Sequence, residues 1–330
     1  MMRAVVCKEF GPPESLVVDE VLSPELGPGQ VRIGVDACGI NFPDTLIIEN
    51  KYQFKPSLPF SPGGEAAGVI TEIGDGVSGW KIGDRVIAMC GWGGFVEEMV
   101  MDPSRLMRTP AAMDSITAAG FTMTYGTSHY ALKDRADLRA GETLLVLGAA
   151  GGVGLAAVEI GKAMGARVIA AASSDEKLEV CRRYGADECV NYERESLKDR
   201  IREITGGHGA DVIYDPVGGD LFDVAFRTIA WEGRYLVIGF AAGRIPSLPM
   251  NLVLLKGCQV VGVFWGSFTA RDPERNQKNL AELAEWCANG TLKPLVSATY
   301  PLEQAGTALR SMLDRKVTGK VVLVTNRGAA

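Results

Sequence analysis

Residues 143–154, TLLVLGAAGGVG, decide the fold of this 330-residue chain. An apolar strand, Thr143–Leu147, runs into a turn with four glycines, and the helix-favouring run LAAVEIGKAMGA follows. Glycines allow a tight turn and let backbone N–H groups approach a phosphate at the positive end of a helix. The spacing is G-x-x-G-x-x-G, with Ala150 in the middle place of G-x-G-x-x-G, and a bland glycine loop is the alternative. Strand, turn and helix in this order favour a dinucleotide site. The residues assigned to it are Gly151, Gly152, Val153 and Gly154.

Strand–helix alternation continues after this turn. Five further apolar runs are predicted strands, at 167–173, 188–192, 210–217, 234–240 and 259–265. Six strands that are apolar on both faces are typical of a parallel sheet covered by helices on either side. The predicted fold class is therefore α/β, with a doubly wound parallel sheet of the Rossmann type.

The sequence on either side of this sheet has a different character. Residues 1–124 hold short strands separated by glycine and proline turns, which predicts a β-rich, partly barrel-like module. The tail, 267–330, carries an amphipathic helix near 274–289 and a closing strand. We expect the tail to return to the first module, leaving a dinucleotide domain, 125–266, inserted between the two.

The composition is that of a globular protein, with 47% hydrophobic and 22% charged residues and a net charge of −6. This acidic balance argues against a broad basic surface for nucleic acid or an acidic membrane. The chain has no signal-peptide pattern and no apolar run of about 18 residues, so we expect neither secretion nor a membrane span. Its seven scattered cysteines include no C-x-x-C, which predicts reduced thiols in the cytoplasm.

The end of the second predicted strand indicates which dinucleotide binds. An NAD site usually has Asp or Glu there, about twenty residues past the glycines, to bind the adenosine ribose. This chain has Ser173 and Ser174, followed by Lys177, and hydroxyls with a cation suit a 2′-phosphate. Asp175 lies one or two residues later, so it either serves as the acidic residue of an NAD site or favours the N-terminus of the next helix. The predicted cofactor is NADPH.

Three further stretches carry a family resemblance: GINFPDTLI (39–47), LPFSPGGEAAG (58–68) and GDRV (83–86). With the β-rich front, the mid-chain glycine turn and the returning tail, the chain resembles the medium-chain dehydrogenase/reductase superfamily over essentially its whole length. The AAGGVG turn and Val190-Asn191-Tyr192 are similar to those of the NADPH:quinone oxidoreductase branch, which includes zeta-crystallin and works without zinc. The resemblance implies a GroES-like first domain, completed by the tail.

Zinc ligands of the superfamily's alcohol dehydrogenases are missing at the matching positions. Those enzymes carry cysteine where Asn41 stands and histidine where Gly64 stands, and their four-cysteine zinc lobe has no counterpart here. The chain has only two histidines and no cysteine cluster at zinc spacing. We therefore expect no metal, and hydride transfer without one.

The resemblance also implies candidate catalytic residues. Asn41 and Asp44 match residues that line the nicotinamide and substrate cleft, although an Asx turn or a helix cap is the alternative for both. Tyr52 follows as a hydrogen-bond or proton donor to a carbonyl, or as a packing residue. Cys38 and Cys90 lie among apolar strand residues, which predicts small buried hydrophobes rather than reactive thiols.

Several residues are expected around the cofactor. Tyr192 is predicted to cover the adenosine end, and Tyr130 either lies near the cofactor or is simply buried. Arg315, before the closing Thr318-Gly319-Lys320 segment, either reaches the 2′-phosphate or satisfies a helix C-terminus. The carboxyl edge of the sheet is predicted to border the nicotinamide. The edge residues so assigned are Ile238, Gly239 and Phe240.

The last predicted strand, near 259–265, ends in Phe264 and Trp265. These side chains form a further apolar wall of the site or a dimer contact. In this branch the strand commonly pairs with its twin, so the resemblance implies a homodimer. An apolar edge strand would otherwise invite aggregation.

The predicted function is NADPH-dependent reduction of a quinone or related conjugated carbonyl. Such a small-molecule acceptor is electrophilic enough to take hydride without a Lewis acid, which an unactivated ketone would need. One alternative is a reductase of an enoyl thioester or alkenal double bond. The other is a non-catalytic NADPH-binding protein of the crystallin type.

Overall fold

A computed structural model of the chain describes residues 1–328. It divides into two compact units. Unit 1 comprises residues 1–123 together with the chain from Pro294 onward, and unit 2 comprises Thr124–Lys293.

Unit 2 is built on a six-stranded sheet in the order β10-β9-β8-β11-β12-β13, in which every neighbouring pair is parallel. Its strands are β8 (Thr143–Leu147), β9 (Arg167–Ala172), β10 (Glu188–Asn191), β11 (Ala210–Asp215), β12 (Ile229–Val237) and β13 (Gln259–Gly262). The order reverses between β8 and β11, which is the arrangement of a doubly wound Rossmann sheet. The predicted fold class is confirmed.

The helices of unit 2 alternate with these strands. They are α3 (Thr122–His129), continued by a π-helical turn at Tyr130–Arg135, α4 (Gly152–Ala163), α5 (Asp175–Arg183), α6 (Leu197–Ile204), α7 (Gly219–Ala225), α8 (Met250–Lys256), α9 (Trp265–Arg271) and α10 (Pro273–Ala288). Strand β8 is buried at all five positions, as the apolar run predicted.

Unit 1 is β-rich. Its elements are β1 (Met2–Val6), β2 (Val17–Val21), β3 (Val31–Gly39), α1 (Phe42–Ile47), β4 (Glu65–Ile73), β5 (Arg85–Met89), β6 (Glu98–Met101), β7 (Leu106–Arg108), α2 (Ser115–Ala119), β14 (Val296–Pro301), α11 (Ala305–Leu313) and β15 (Lys320–Val324). The main sheet has the order β14-β15-β3-β4-β5-β7, with β6 also on β3, while β1 and β2 pair separately. The tail therefore adds two strands to the sheet of the N-terminal module, because β15 lies antiparallel to β3.

The tail returns later than the predicted boundary at 266/267, since residues 267–293 belong to unit 2. Side-chain packing explains the correction. Asn279 Nδ2, on α10, donates to Asp134 Oδ2 at 2.6 Å, in the π-helical turn that continues α3. His129 Nε2 and Glu282 Oε2 lie 3.1 Å apart, which ties α10 to α3.

Two predicted strand ends are also wrong. Strand β12 ends at Val237, so Ile238, Gly239 and Phe240 follow the strand instead of forming its last residues. Here the Ala241 N–H donates to the Pro216 carbonyl at 3.1 Å, which turns the chain across the end of β11.

Strand β13 likewise ends at Gly262. Phe264 precedes α9 and Trp265 is its first residue, because the buried indole of Trp265 packs on α3. Among residues 1–328, no helix has the length and apolar composition needed to cross a membrane.

Candidate functional site

The glycine turn joins β8 to α4, and each of its glycines has a different surrounding. Gly148 has a φ of +57°, and Gly151 is the N-cap of α4. A Cβ atom on Gly154 would lie 2.3 Å from the Gly148 carbonyl oxygen, so the helix packs on the turn only with glycine there. A Cβ atom on Gly151 would meet only that oxygen, at 3.4 Å. The open backbone at a helix N-terminus is a cradle that fits a pyrophosphate.

Ser128 and Tyr214, which the sequence analysis did not identify, form a hydrogen-bonded bridge to this turn. Ser128 Oγ, on α3, donates to the Val153 carbonyl at 2.8 Å and lies 2.8 Å from the Tyr214 hydroxyl. The sequence carries no signal for this bridge, because its three residues lie on α3, α4 and β11.

Ser173, Ser174 and Lys177 lie together at the end of β9. Ser174 is the N-cap of α5, with Oγ accepting the Lys177 N–H at 3.3 Å, and Lys177 Nζ donates to Ser173 Oγ at 3.3 Å. Asp175 takes the second of its predicted roles, at the N-terminus of α5, and its carboxylate is bound by Asn191 Nδ2 at 2.7 Å and by Arg194. Hydroxyls and cations at this edge suit a phosphate. Arg194 was missed, because its approach to Asp175 depends on the pairing of β9 with β10.

Tyr192 lies next to this group. It is half-buried, and its N–H donates to the Ala172 carbonyl at 3.2 Å, one residue before Ser173. At the end of β12, Ile238, Gly239 and Phe240 are half-buried as well. At the carboxyl edge of the sheet, Ser173, Ser174, Lys177 and Tyr192 thus form one group at the end of β9. Residues 238–240 lie at the same edge, at the end of β12.

An aromatic residue of the π-helical turn that follows α3 packs on one of α9. Tyr130 is half-buried and stacks on Phe268, with ring centroids 4.1 Å apart and planes at 12°. Trp265 Nε1 donates to Asn276 Oδ1 at 3.2 Å, and its ring is buried, whereas Phe264 is 47% exposed. The stacking on Phe268 agrees with the packing alternative for Tyr130, whose contact with a cofactor remains a prediction. The roles of Phe264 and Trp265, as a wall of the site or a dimer contact, also remain predictions.

In unit 1, Asn41, Glu65 and Lys320 form a buried polar ring. Lys320 Nζ donates to Asn41 Oδ1 at 2.8 Å and to Glu65 Oε1 at 2.9 Å, and Asn41 Nδ2 donates to the same Glu65 oxygen at 3.0 Å. Gly39 makes room for the carboxylate, since a Cβ atom there would lie 2.7 Å from Glu65 Oε1. Glu65 and Lys320 were not predicted as site residues. The only local signal is a lysine opening the apolar strand β15.

Asn41 is the N-cap of α1, as its capping alternative predicted, and Asp44 completes a capping box with it. Tyr52 lies close enough to Asp44 to sense its charge. Asp44 Oδ2 accepts the Asn41 backbone N–H at 2.8 Å, which is the predicted capping alternative for Asp44. Burial raises the pKa of Asp44 to about 7, against the opposing effects of the Asn41 N–H, Lys320 and the Gly63 N–H. The pKa of Tyr52 is raised by burial and by the Asp44 charge. Near neutral pH, Asp44 is thus a carboxyl group that can hold or release a proton.

Cys38 and Cys90 are buried, as predicted. Their Sγ atoms donate to the carbonyls of Glu65 at 2.8 Å and Gly63 at 3.2 Å. Burial raises the pKa of Cys38 well above its ordinary value and that of Cys90 to about 12. Both thiols therefore stay protonated and unreactive.

Arg315 belongs to unit 1, just past the end of α11. Its φ is +57°, its N–H donates to the Met312 carbonyl at 3.0 Å, and its side chain is exposed. The residue thus occupies the left-handed position that ends many helices. Its approach to a 2′-phosphate remains a prediction. Within residues 1–328, no group of three or more His, Cys, Asp or Glu side chains is arranged to hold a metal ion.

Known proteins match this chain along its whole length. One family model, described as an alcohol dehydrogenase GroES-like domain, matches residues 27–111, and another, described as a zinc-binding dehydrogenase, matches residues 152–286. A quinone oxidoreductase-like protein 2 homolog of Nematostella vectensis is 43% identical over 98% of this chain and 89% of its own length. The quinone oxidoreductase of Rattus norvegicus is 34% identical over 98% of both chains. The chain belongs to the quinone oxidoreductase family. The predicted superfamily and its GroES-like domain are thereby confirmed.

Solved structures similar to this member of the quinone oxidoreductase family share the fold of the whole chain. A probable oxidoreductase from Mycobacterium abscessus has a TM-score of 0.89 and 40% identity, covering 98% of both chains. The Escherichia coli quinone oxidoreductase, in a complex with NADPH, has a TM-score of 0.89 and 28% identity, covering 98% of this chain and 99% of its own. The CurK enoyl reductase has a TM-score of 0.88 and 25% identity, covering 98% of both.

Proposed function

We propose that this protein is an NADPH-dependent reductase that transfers hydride, without a metal, to a quinone or a related conjugated carbonyl. Family membership makes the protein an oxidoreductase of the quinone oxidoreductase type. The cofactor, the acceptor and the metal-free step are the proposal.

Residues of unit 2 suit NADPH. The open backbone at Gly151 would hold the pyrophosphate, and Ser173, Ser174 and Lys177 would hold the 2′-phosphate. NADPH supplies the hydride when it is bound. The E. coli relative was solved as a complex with NADPH, which supports the same cofactor here.

The ring of Asn41, Glu65 and Lys320 supports a quinone or conjugated carbonyl as the acceptor. Lys320 Nζ lies 2.8 Å from Asn41 Oδ1, so a cation at this position would meet an ammonium group. Both N–H groups of the Asn41 amide are already donated, to Glu65 Oε1 and to the Gly39 carbonyl at 3.3 Å. An acceptor therefore receives neither Lewis-acid help nor a strong hydrogen bond from Asn41. Quinones and enones react under these conditions, whereas simple ketones need such assistance.

Steady-state oxidation of NADPH with a panel of acceptors tests this proposal. We expect turnover with 1,4-benzoquinone and little with a simple aldehyde, before and after treatment with a chelator. Activity that disappears with chelator and returns with zinc would contradict the metal-free step. NADPH binding without turnover of any acceptor would instead identify the non-catalytic protein.

A second candidate is an enoyl reductase, which the likeness to the CurK enoyl reductase favours. Both reactions deliver hydride to a conjugated, electron-poor system, and both take up a proton. Asp44, whose pKa is raised to about 7, and Tyr52 are its proposed sources. Crotonyl-CoA in the same panel separates them, because a preference of about tenfold or more in kcat/KM over 1,4-benzoquinone would favour this candidate.

Lys177→Ala is expected to narrow the preference for NADPH over NADH. A lysine paired with a phosphate forms a charge-assisted hydrogen bond of about 1.5–3 kcal/mol, so the NADPH dissociation constant should rise about tenfold or more while that of NADH changes little. Fluorescence titration of both dinucleotides measures this effect. Lys198→Ala, an exposed lysine on α6, is the control. Equal affinities for NADPH and NADH in the parent protein would reject the cofactor assignment.

Asp44→Asn is expected to change how stability depends on pH. Because the pKa of Asp44 is raised in the fold to about 7, its contribution to stability is present below the unfolded value and is lost as pH rises through about 7. The free energy of unfolding of the variant, measured relative to that of the parent, should therefore rise by on the order of 2 kcal/mol from about pH 5 to about pH 8. Urea unfolding across this range measures the difference. The exposed Asp75, replaced by Asn, is the control, and a difference that is flat with pH would contradict the prediction.

We also propose that the protein is a homodimer joined through β13. This strand is an edge of the unit 2 sheet in the described chain, and apolar side chains are exposed near it. They include Trp231 (65%), Leu254 (79%), Leu255 (68%) and Val260 (43%). Val260→Lys should yield monomers, because lysine on an edge strand opposes pairing. Light scattering measures the mass, with Val224→Lys on α7 as the control, and a parent that is monomeric would reject the dimer.

The cytoplasmic location also stays a prediction.

A further inference from the structure

The Asp175 carboxylate, in the first turn of α5, is bound by two side chains at the end of β10. Its Oδ1 atom accepts a hydrogen bond from Asn191 Nδ2 at 2.7 Å, and its Oδ2 atom forms an ion pair with Arg194. Asn191 is buried and its Oδ1 accepts the Glu193 N–H at 3.2 Å, so its NH2 group must face Asp175. Each oxygen of this carboxylate therefore has a donor from the β10 side.

The turn after β10 places Arg194 at this carboxylate. Asn191 pairs with Ala172 in the parallel register of β10 and β9, so the turn begins beside the end of β9. The Arg194 N–H donates to the Asn191 carbonyl at 3.0 Å, and the Asn191 N–H donates to Glu195 Oε1 at 3.1 Å, which fixes the turn. The ion pair thus lies at the same end of β9 as the serines that are proposed to hold the 2′-phosphate.

The first turn of α5 carries two acidic side chains, Asp175 and Glu176. An unpaired carboxylate here would repel a 2′-phosphate and would be able to accept hydrogen bonds from the ribose hydroxyls of NADH. Arg194 opposes both charges. It pairs with Asp175, and the pKa of Glu176 is lowered by a hydrogen bond with the Ser174 side chain and further by the Arg194 charge.

We propose that Arg194 is a positioning residue that sets the preference for NADPH: it holds and neutralises the Asp175 carboxylate, so that the neighbouring serines and Lys177 can bind a 2′-phosphate. This inference rests on the proposed function, which supplies the phosphate. Arg194 acts on specificity through Asp175. Both members of the pair are exposed, so the pair contributes little to stability.

Arg194→Met tests this role, because it removes the cation and keeps much of the side-chain length. The dissociation constant of NADPH should rise about fivefold or more, since the unpaired carboxylate repels the phosphate, whereas that of NADH should not rise. Fluorescence titration measures both constants. Arg182→Met removes an exposed arginine paired with Glu179 on the same helix, and this control should change either constant by less than about twofold. An equal loss for both dinucleotides in Arg194→Met would overturn the proposal.

Replacing Asp175 separates neutralisation from direct contact with the phosphate. The double variant Arg194→Met/Asp175→Asn removes the cation and the carboxylate together, so its NADPH affinity should return to within about twofold of that of the parent. Asp175→Asn alone should not weaken NADPH. A double variant that binds NADPH as weakly as Arg194→Met would show that the guanidinium binds the phosphate itself, and would overturn the inference.

The single variant Asp175→Asn also tests the alternative role of this carboxylate. If its affinity for both dinucleotides falls, the carboxylate binds the adenosine ribose in the parent, which would overturn the inference as well. A parent that prefers NADPH, with an Arg194→Met variant that keeps the same preference, would overturn this inference alone. A parent with equal affinities for NADPH and NADH would reject the cofactor assignment of the proposed function.

Discussion

Glu65→Leu is expected to lower the free energy of unfolding by about 3–5 kcal/mol, because breaking a buried ion pair leaves its other charge uncompensated. Glu65 is fully buried and accepts hydrogen bonds from Lys320, Asn41 and the Met123 N–H. Leucine is similar in size but leaves the Lys320 ammonium buried without this carboxylate. Urea unfolding at neutral pH measures the loss.

The control for Glu65→Leu is the same change combined with Lys320→Met. Replacing both members of a buried pair by apolar side chains of similar volume is often close to neutral, so the double variant should recover more than half of the lost stability. A loss below about 1 kcal/mol in the single variant would contradict the prediction. It would mean that water or a nearby carboxylate such as Asp44 compensates Lys320.

Gly154→Ala is expected to lose stability, whereas Gly151→Ala is expected to lose affinity for NADPH. The new Cβ atom at Gly154 would lie 2.3 Å from the Gly148 carbonyl oxygen and 2.9 Å from Ala149 Cα. Backbone atoms cannot move aside cheaply, so this variant should lose about 2–3 kcal/mol of stability. At Gly151, the φ of −74° suits alanine and the Cβ atom meets only an oxygen at 3.4 Å. The Gly151 variant should therefore lose about 1 kcal/mol or less, as alanine does at a helix N-cap.

Binding separates the same pair of variants. A methyl group on Gly151 would stand on the open backbone that the pyrophosphate approaches, so the affinity for NADPH should fall about tenfold or more. Urea unfolding and fluorescence titration of NADPH, applied to both variants, measure the two effects. Unchanged NADPH affinity in Gly151→Ala would place the pyrophosphate elsewhere, and unchanged stability in Gly154→Ala would contradict the packing argument.

Element type was predictable from the sequence, whereas several element ends were not. Strands buried on both faces have continuous apolar sequences, and β8 and its neighbours lie where these sequences predicted strands. The runs continue past the ends of β12 and β13, into Phe240 and Trp265, because apolar residues there pack against loops and helices. Apolarity alone does not distinguish these two kinds of burial.

The candidate site was predictable where it depends on local order. Ser174 and Lys177 lie within one helical turn, and so do Asn41 and Asp44, and each pair is joined by a hydrogen bond or a cap. Asn41 itself was singled out through the family resemblance. Its ring partner Lys320 lies 279 positions away, and no spacing rule connects the two.

The sequence alone therefore determined the strands and helices of unit 2, the glycine turn and the residues at the start of α5, since each follows from the pattern of near neighbours in the chain. The tertiary structure decided the extent of unit 2 and the hydrogen-bond partners of Asn41. Both depend on side chains that meet only after folding: α10 reaches α3 through His129 and Glu282, and Lys320 reaches Asn41 because β15 pairs with β3.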